Sequence, residues 1–308
     1  MPVAALQRHR VNRVSNFAYE NVTRPIDLDS LADVACWSKF HFSRVFADHL
    51  RESPLRFLWR LRLERAARSL VHLPEDSVTD VALNSGFSSS QTFSKTFRQR
   101  FNMSPRAFRS GALEEPDLPR AMSEFKTALC WPEVYTPLLT RAHVPVRIEE
   151  RPDYRVAYIR QIGPYFGAYC GIQDTFGRLE AWARARGIWD AETAAVGVCP
   201  DHSAITPPER CRYDAGIIVS EEMREDEVVS IQTVRAGLYA VFPIACEDVK
   251  LDNVWEWFTS VWLPASGYTR EFLPSYEFYP AARGRPVTAR NGVELCVRLR
   301  TDLAPQTD

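Results

Sequence analysis

A short pattern occurs twice within the first 110 residues, and this repeat constrains the fold more than any other feature of the chain. Phe42-Ser43-Arg44-Val45-Phe46 is matched 51 positions later by Phe93-Ser94-Lys95-Thr96-Phe97. A Ser-Pro pair follows each copy, at Ser53-Pro54 and Ser104-Pro105. The two phenylalanines of a copy are four residues apart, so they share one helix face and the polar residues lie off it. The pattern therefore predicts an all-α domain that builds one helical unit twice.

A second, shorter helix is expected before each copy. Ala32 and Ala82 provide small residues where two helices can cross closely, and Gly86 supplies the positive φ of a tight turn. Ser38 and Ser88 are placed to cap the helix that follows. Two helices, a tight turn and a polar outward face on the second helix predict a helix-turn-helix unit, here present twice.

Between the two units, Pro54 to Val71 predicts one longer helix. Its apolar positions are enclosed by a sleeve of five arginines: Arg56, Arg60, Arg62, Arg65 and Arg68.

These residues resemble the AraC/XylS family of bacterial transcription regulators. The second unit, from Val81 to Arg109, carries most of the resemblance, and the first unit matches from Leu28 to Phe57. The family often has Gly before the Ser-Pro step, whereas Glu52 and Asn102 stand near those places here. The resemblance implies that the second helix of each unit enters a major groove of double-stranded DNA, about one DNA turn apart.

Position by position, the resemblance implies twelve DNA-binding residues: Lys39, Phe40, His41, Ser43, Arg44, Ser89, Ser90, Gln91, Thr92, Ser94, Lys95 and Arg98. Arg44 suits guanine, Gln91 suits adenine, and Thr92 suits a thymine methyl group. A solvated helix face or a phosphate contact is the alternative for each of them. We interpret His41 as a groove-lining residue, because no other His lies at metal-ligand spacing. The exposed faces of the two DNA-contacting helices differ, so we expect an asymmetric promoter site.

Charge is distributed unequally along the chain. Residues 1–110 hold 17 Lys and Arg against 10 Asp and Glu, and the remainder holds 21 against 29. The basic first part is therefore the part expected to meet a polyanion. An uneven surface without function is the alternative.

Composition and cysteine placement exclude several classes of protein. The chain is 45% hydrophobic, which is typical of globular domains, and no apolar run approaches the ~18 residues of a membrane span. Its first residues have no apolar core of signal-peptide length. The seven cysteines are scattered and form no C-x-x-C pair. We expect reduced thiols in a cytoplasmic protein, with no metal, no cofactor and no membrane contact.

The remainder of the chain predicts an α+β domain. Prolines mark residues 111–143 as a linker, and apolar alternation begins at Val144. Helical spacing through Tyr169 to Arg186, and again from Asn253 to Trp262, alternates with strand-like segments. We interpret residues 144–303 as two β-α-β-β repeats that share one antiparallel sheet with helices on one side.

This second part resembles the GyrI-like effector-binding domain. The resemblance rests on the following segments: Gly163-Pro164-Tyr165, Cys211-Arg212-Tyr213-Asp214, Gly237 to Val241, Trp262 to Tyr268 and Pro274 to Tyr279. It implies that the chain binds a small molecule and that Glu277 lies in the ligand pocket.

A carboxylate among aromatic rings is costly without a partner, and a lipophilic cationic or aromatic effector could supply one. The candidate pocket walls are Tyr165, Phe166, Tyr169, Tyr239, Trp255 and Tyr279. The alternative is that Glu277 pairs with an arginine and the aromatic residues are core.

Taken together, the sequence predicts a multidomain transcription regulator that binds DNA and senses a small molecule. RNA polymerase is a further candidate partner. Two alternatives stay open: a hydrolase in which Glu277 is a general base, and a regulator whose second domain binds only proteins. No serine-histidine-aspartate, metal-binding or phosphate-loop motif supports catalysis, so we expect no enzyme and no catalytic residues.

Overall fold

The structure is a computed structural model, and it describes residues 1–73, 75–110, 146–164, 171–201, 205–244, 251–281 and 292–301. The predicted linker, residues 111–143, lies outside these ranges. Contacts divide the chain into two compact units, which are treated separately below. Among the residues described, no helix combines the length and the apolar character that a bilayer crossing requires.

The first unit is helical. Up to residue 110 the described chain forms seven helices: α1 (Val3–Glu20), α2 (Leu28–Ala35), α3 (Lys39–Leu50), α4 (Pro54–His72), α5 (Val78–Asn84), α6 (Ser90–Phe101) and α7 (Pro105–Ser110).

The repeated sequence pattern produces the same aromatic packing twice. The rings of Phe42 and Phe46 are 5.3 Å apart, as are those of Phe93 and Phe97. Each second ring then meets an aromatic residue eleven positions later, Phe57 at 5.4 Å and Phe108 at 5.3 Å. Edge-to-face pairs at this distance stabilise a core beyond the burial of their area. The offset of 51 residues is therefore preserved in the packing.

Serine side chains cap the N-termini of α3 and α6, the second helix of each pair, which are called the outer helices below. The hydroxyl of Ser38 accepts a hydrogen bond from the His41 N–H at 3.4 Å, as predicted for α3. In α6 the cap is Ser89, which accepts from the Thr92 N–H at 3.2 Å. The prediction that Ser88 caps this helix is wrong.

An extra residue in the second turn explains the misplaced cap. Cys36 and Gly86 have positive φ, at 53° and 88°, and occupy equivalent places. The next residue in each turn donates to an alanine carbonyl five positions back: Trp37 to Ala32 and Phe87 to Ala82. Cys36 and Gly86 are 50 residues apart, whereas the first residues of α3 and α6 are 51 residues apart.

Two non-glycine residues end the outer helices in the left-handed conformation. Arg51 follows α3 with φ 58°, and Asn102 follows α6 with φ 57°. The sequence placed the turn near Glu52, but Glu52 is buried and accepts hydrogen bonds from Arg60 at 2.6 and 3.0 Å. The strained position is therefore Arg51.

The central helix α4 is confirmed, but its arginine sleeve is only partly correct. Arg60, Arg62 and Arg68 are buried. The helix contacts α1, α2 and α3 as well as α5 and α7, so much of its circumference lies against other helices. Arg60 is compensated there by ion pairs with Glu52 and Glu64.

The second unit is an eight-stranded antiparallel sheet. Its strands are β1 (Arg147–Arg151), β2 (Tyr154–Ile162), β3 (Ala195–Cys199), β4 (Arg212–Ile218), β5 (Ser230–Val234), β6 (Gly237–Ile244), β7 (Ser275–Tyr279) and β8 (Val293–Arg298). They follow one another across the sheet in the order β1-β6-β8-β7-β3-β4-β2-β5.

Helices accompany each half of this sheet. Helix α8 (Ile172–Ala185) precedes β3, and α9 (Leu251–Trp257) precedes β7. Helix α9 continues through a π-helical turn, Phe258–Trp262, into the short α10 (Leu263–Ala265). The order strand, helix, strand, strand describes β2-α8-β3-β4 and β6-α9-β7-β8, whereas β1 and β5 are additional strands at the two edges.

Strand alternation separates two apolar faces. Phe176 and Leu179 of α8 pack against one face of β2, β3 and β4, and Val254 and Phe258 pack on β6 and β8. The register places Glu277 opposite Leu295, a member of the cluster under α9. On its other side Glu277 lies opposite Gly197, which lies opposite Ala215 of the cluster under α8, so both helices cover one face. The other face forms its own core from strand residues.

Replacing Arg51 with Gly should stabilise the first unit, because a left-handed residue with a Cβ is strained. The strain is about 1–2 kcal/mol and glycine's extra unfolded-state entropy offsets part of it, so we expect a gain of up to about 1 kcal/mol. The gain from Asn102→Gly should be smaller, because Asn tolerates this region. Thermal unfolding followed by circular dichroism measures both.

The matched control is Arg51→Ala, which keeps the Cβ. An equal gain in Arg51→Ala and Arg51→Gly would assign the effect to the arginine side chain and contradict the strain explanation.

Candidate functional sites

The outward faces of α3 and α6 carry the residues predicted to bind DNA. Seven of the twelve are exposed: Lys39, Phe40, Arg44, Gln91, Thr92, Lys95 and Arg98. The other five are partly exposed: His41, Ser43, Ser89, Ser90 and Ser94. The structure therefore leaves all twelve accessible to some degree, while the phenylalanines between them are buried.

The face of α3 combines a cation with an apolar ring. Arg44 is exposed, and the Phe40 side chain is 91% exposed, which is unusual for a large apolar residue. Lys39 pairs with Asp29 at 2.7 Å, and this contact raises the pKa of the lysine. More than half of each side chain of this pair is exposed, so water screens the attraction between Lys39 and Asp29.

His41 packs edge-on against Trp37, with ring centroids 5.0 Å apart. In the described ranges no group of three His, Cys, Asp or Glu residues could hold a metal ion. The contact with Trp37 orients the partly exposed His41 ring near the start of α3.

The face of α6 is polar and smaller. Gln91, Lys95 and Arg98 recur at intervals of four and three, which places them along one stripe of the helix. The Ser89 hydroxyl accepts from the Thr92 N–H and donates to Thr92 Oγ1 at 3.0 Å. Ser89 therefore orders the start of the helix, and Gln91, Lys95 and Arg98 are better placed to reach outward.

A second candidate site surrounds Glu277 on the helix-covered face of the sheet. Glu277 is only 5% exposed. Its Oε2 accepts hydrogen bonds from the hydroxyls of Tyr213 and Tyr279, both at 2.7 Å. Its Oε1 accepts from the Trp255 indole N–H at 2.9 Å. Three neutral donors from β4, β7 and α9 thus converge on one buried carboxylate.

The two tyrosines are held in their protonated form. Burial, followed by the charge of Glu277, raises the pKa of Tyr213 and Tyr279 well above the usual 10. A protonated phenol can donate to a carboxylate, whereas a phenolate would repel it. At neutral pH both hydroxyls are therefore available as donors.

Sequence reasoning missed Tyr213, although it lies in a segment that carries the GyrI-like resemblance. Its position depends on Gly197 of β3, which lies opposite Glu277 on one side and Ala215 on the other. A Cβ at residue 197 would lie 1.8 Å from the Tyr213 hydroxyl and 2.9 Å from Glu277 Oε2. The missing side chain of Gly197 thus provides the space for the hydrogen bond, and an isolated glycine in a strand was the available signal.

An aromatic ring from α8 closes one side of this site. Phe176 lies 5.6 Å from the ring of Tyr279 and 6.2 Å from that of Tyr213. The site therefore combines a carboxylate, oriented donors and apolar ring surfaces.

The structure does not bring Tyr239 together with Glu277. Tyr239 belongs to the core on the opposite face of the sheet, where its ring packs 5.4 Å from Tyr276 and its hydroxyl donates to the Arg235 carbonyl. The inclusion of Tyr239 in the pocket wall is therefore corrected, because strand alternation gives it the other face. Three further predicted wall residues, Tyr165, Phe166 and Tyr169, lie outside the described residues.

Two buried ion pairs fix β4 on both sides of Tyr213. Arg212 donates to Asp201 from Nε and Nη2, both at 2.7 Å. Arg160 donates to Asp214 at 2.6 and 2.7 Å. Bidentate pairs restrict orientation strongly, so these contacts hold the strand that presents the tyrosine.

Comparison with protein families gives two matches. Residues 145–300 match the family described as a GyrI-like small molecule binding domain. Residues 31–111 match a family described as a helix-turn-helix domain.

Similar proteins are named as transcription regulators. The SPbeta prophage-derived putative transcriptional regulator YosT of Bacillus subtilis (strain 168) is 32% identical over 110 residues, which cover 36% of this chain and 72% of that protein. The transcriptional activator RhaS of Enterobacter sp. (strain 638) is 36% identical over 102 residues, covering 33% of this chain and 36% of that protein. Other similar regulators, from Staphylococcus aureus, are matched over only 14% of their length.

Among solved structures, the chain is similar to the DNA-binding domain of the global transcriptional factor AdpA in complex with a target DNA. That comparison has 31% identity and a TM-score of 0.32, and it covers 32% of this chain and 89% of the other.

Replacing Gly197 with Ala should destabilise the protein, because the new methyl group would overlap the Tyr213 hydroxyl. Overpacking of this kind costs about 1–3 kcal/mol. Adding Tyr213→Phe removes the overlapping oxygen, so the double variant should be less destabilised than the sum of the single variants. Thermal unfolding midpoints of the four proteins measure this coupling.

Gly177→Ala is the matched control, since a Cβ there would meet nothing within 4 Å. It should be neutral or stabilising in its helix. Strict additivity of Gly197→Ala and Tyr213→Phe would show that the glycine does not provide the space for the tyrosine.

Proposed function

The chain belongs to the GyrI-like family and joins that domain to an AraC-type helix-turn-helix domain, and we propose that this DNA-binding transcription regulator reads DNA with the helix-turn-helix domain and senses an effector with the GyrI-like domain. Residues 1–110 form the DNA-binding domain, residues 111–143 the linker, and residues 144–303 the effector-binding domain. Helices α2 and α3 form one helix-turn-helix unit, and α5 and α6 form the other.

Three features support two separate units. Each pair of helices is joined by a turn with positive φ, at Cys36 or Gly86, and each outer helix starts at a serine cap. The aromatic contacts behind α3 and α6 also repeat, with an offset of 51 residues. In the proposed complex α3 and α6 each enter a major groove.

The target site is asymmetric because the two outer faces differ. Arg44 and Phe40 offer a cation and an apolar ring, which suit guanine and a thymine methyl group. Gln91 suits adenine, while Lys95 and Arg98 suit phosphates or guanine. A palindromic site would present the same bases to two unlike faces.

The effector domain is built from two β-α-β-β repeats, and the effector binds where they meet. In the sheet order, β7 of the second repeat pairs with β3 of the first. Tyr213 belongs to the first repeat, whereas Trp255, Glu277 and Tyr279 belong to the second. The site therefore draws its groups from both repeats.

The buried Glu277 is the observation that carries the effector proposal. The carboxylate is largely withdrawn from water, and in the described residues it accepts hydrogen bonds from two phenols and an indole. The site therefore places a carboxylate beside aromatic rings, a combination that suits a cationic ligand. A lipophilic cation would place its charge next to this carboxylate, and the rings of Tyr279 and Phe176 would contact its apolar surface.

The effector regulates by binding one state of the protein better than another, since a ligand with equal affinity for both shifts nothing. RNA polymerase is the partner proposed to receive that change. We propose no enzymatic role.

Arg44→Ala and Lys95→Ala should each weaken binding to a DNA site selected from a random pool by the full chain. Loss of the Arg44 base contact should cost about 1–3 kcal/mol and relax specificity at one position, whereas loss of Lys95 should weaken binding to all sequences and lower its salt dependence. Fluorescence anisotropy over a salt series measures both effects.

Arg224→Ala is the matched control, because it removes the same charge from an exposed position in the second unit. Unchanged affinity and specificity in both Arg44→Ala and Lys95→Ala would reject the proposed contacts.

Tetraphenylphosphonium, a lipophilic cation, should raise the thermal unfolding midpoint of the protein. A ligand at 100 times its Kd stabilises the folded state by about 2.7 kcal/mol. Glu277→Gln keeps the shape of the side chain but loses its charge, so this variant should lose most of the shift. A thermal-shift titration measures the response.

Tetraphenylborate is the matched probe, with the same shape and the opposite charge, and it should give no shift. An equal shift with both ions, or an undiminished shift in Glu277→Gln, would show that charge recognition by Glu277 is absent. No shift with any of a series of lipophilic cations would favour a second domain that binds only proteins, and turnover of a bound probe would favour an enzyme.

A further inference from the structure

Arg62 connects the middle of α4 to the chain segment that leads into the first helix pair. Its Nε donates to the Val22 carbonyl at 3.0 Å, and its Nη2 donates to the Arg24 carbonyl at 2.8 Å. Both carbonyls lie between the end of α1 and the start of α2. Arg62 is 9% exposed, so these contacts are made largely out of water.

The turn of the second helix pair reaches the same point. Gly86, between α5 and α6, has φ 88°, and a Cβ built there would lie 2.6 Å from the Val22 carbonyl and 2.9 Å from Arg62 Nε. The Thr23 Cα would be 3.1 Å away. The turn of the second helix pair and the segment that leads into the first therefore approach as closely as glycine allows. The guanidinium group of Arg62 lies at their contact.

The chemistry of this contact requires an arginine. Burial lowers the pKa of Arg62, and in the described residues both of its hydrogen bonds go to carbonyl oxygens. A planar guanidinium can hold two carbonyls in fixed directions, whereas a lysine ammonium holds no fixed fork. The guanidinium also lies 6.0 Å from the ring of Trp59, which packs against Phe87 beside Gly86.

We propose that Arg62 and Gly86 form a junction that sets the spacing and rotation between α3 and α6, and through them the spacing of the two DNA half-sites. This inference rests on the proposed function, because it requires both outer helices to contact DNA. One added base pair moves a half-site by about 3.4 Å and rotates it by about 35°, so a rigid junction discriminates between spacings one base pair apart. Arg62 is in this sense a positioning residue, which acts on DNA through α3 and α6.

Half-site spacing is the measurement that tests the junction. The full chain first selects its site from random DNA, and duplexes are then made with one base pair added or removed between the two contacted segments. We expect the parent protein to lose about tenfold or more in affinity at either altered spacing, equivalent to about 1.4 kcal/mol. Arg62→Met should bind the selected site less tightly and reduce that ratio to about threefold or less.

Arg56→Met is the matched control, since Arg56 is exposed on the same helix. It should leave the ratio between spacings unchanged, whatever its effect on overall affinity. Arg62→Lys keeps the charge but loses the planar guanidinium group that holds two carbonyls, so it should also reduce the affinity ratio between spacings. Gly86→Ala should do the same by forcing the two backbones apart.

The outcomes separate the inference from the function on which it rests. Failure of the full chain to select any sequence rejects the proposed function itself. A selected site with an unchanged spacing ratio in every folded variant overturns the junction alone. Loss of folding in Arg62→Met, Arg62→Lys and Gly86→Ala, judged by circular dichroism, also overturns it, because Arg62 would then be required only for stability.

Discussion

A charge that leaves water must find oriented polar groups to replace the water, and both units of this protein are organised by that requirement. In the first unit, Arg60 lies between Glu52 and Glu64, and Arg62 binds two carbonyls. In the second unit, Arg212 and Asp201 form a buried pair, and Glu277 collects three neutral donors. Removing one member of such a set leaves the other desolvated without compensation, so these contacts specify the arrangement of helices and strands more strictly than apolar packing alone.

The elements that the sequence predicted well are those with a strong periodic signal. The spacing of Phe42 and Phe46, repeated at Phe93 and Phe97, gave both outer helices, because buried rings four residues apart fit one helix face. Gly86 marked a turn because its positive φ is a local backbone property. Glu277 was identified because the resemblance to the GyrI-like domain implied that it lies in the ligand pocket, and the structure buries it beside Trp255 and Tyr279.

The features that the sequence did not reveal depend on tertiary contacts. Tyr213 reaches Glu277 only because Gly197 leaves space between adjacent strands, and no local pattern records which strands become neighbours. Tyr239 was assigned to the wrong face because its orientation follows from a register that is set across β6, β8 and β7. Arg62 reads as a solvent-facing residue in the sequence of α4, but its surroundings come from segments about 40 residues away.

The edges of the sheet have a consequence for how the second unit folds. Strand β1 leaves its sequence neighbours to pair with β6, while β5 crosses in the opposite direction to pair with β2. Each half therefore contributes one edge strand to the ladder of the other half. Neither half can complete its hydrogen-bonded ladder alone, so partial unfolding of one should open an edge in the other. Loss of strand pairing in one half should therefore weaken the other half as well, including the pairing of β3 with β7 at the centre of the sheet.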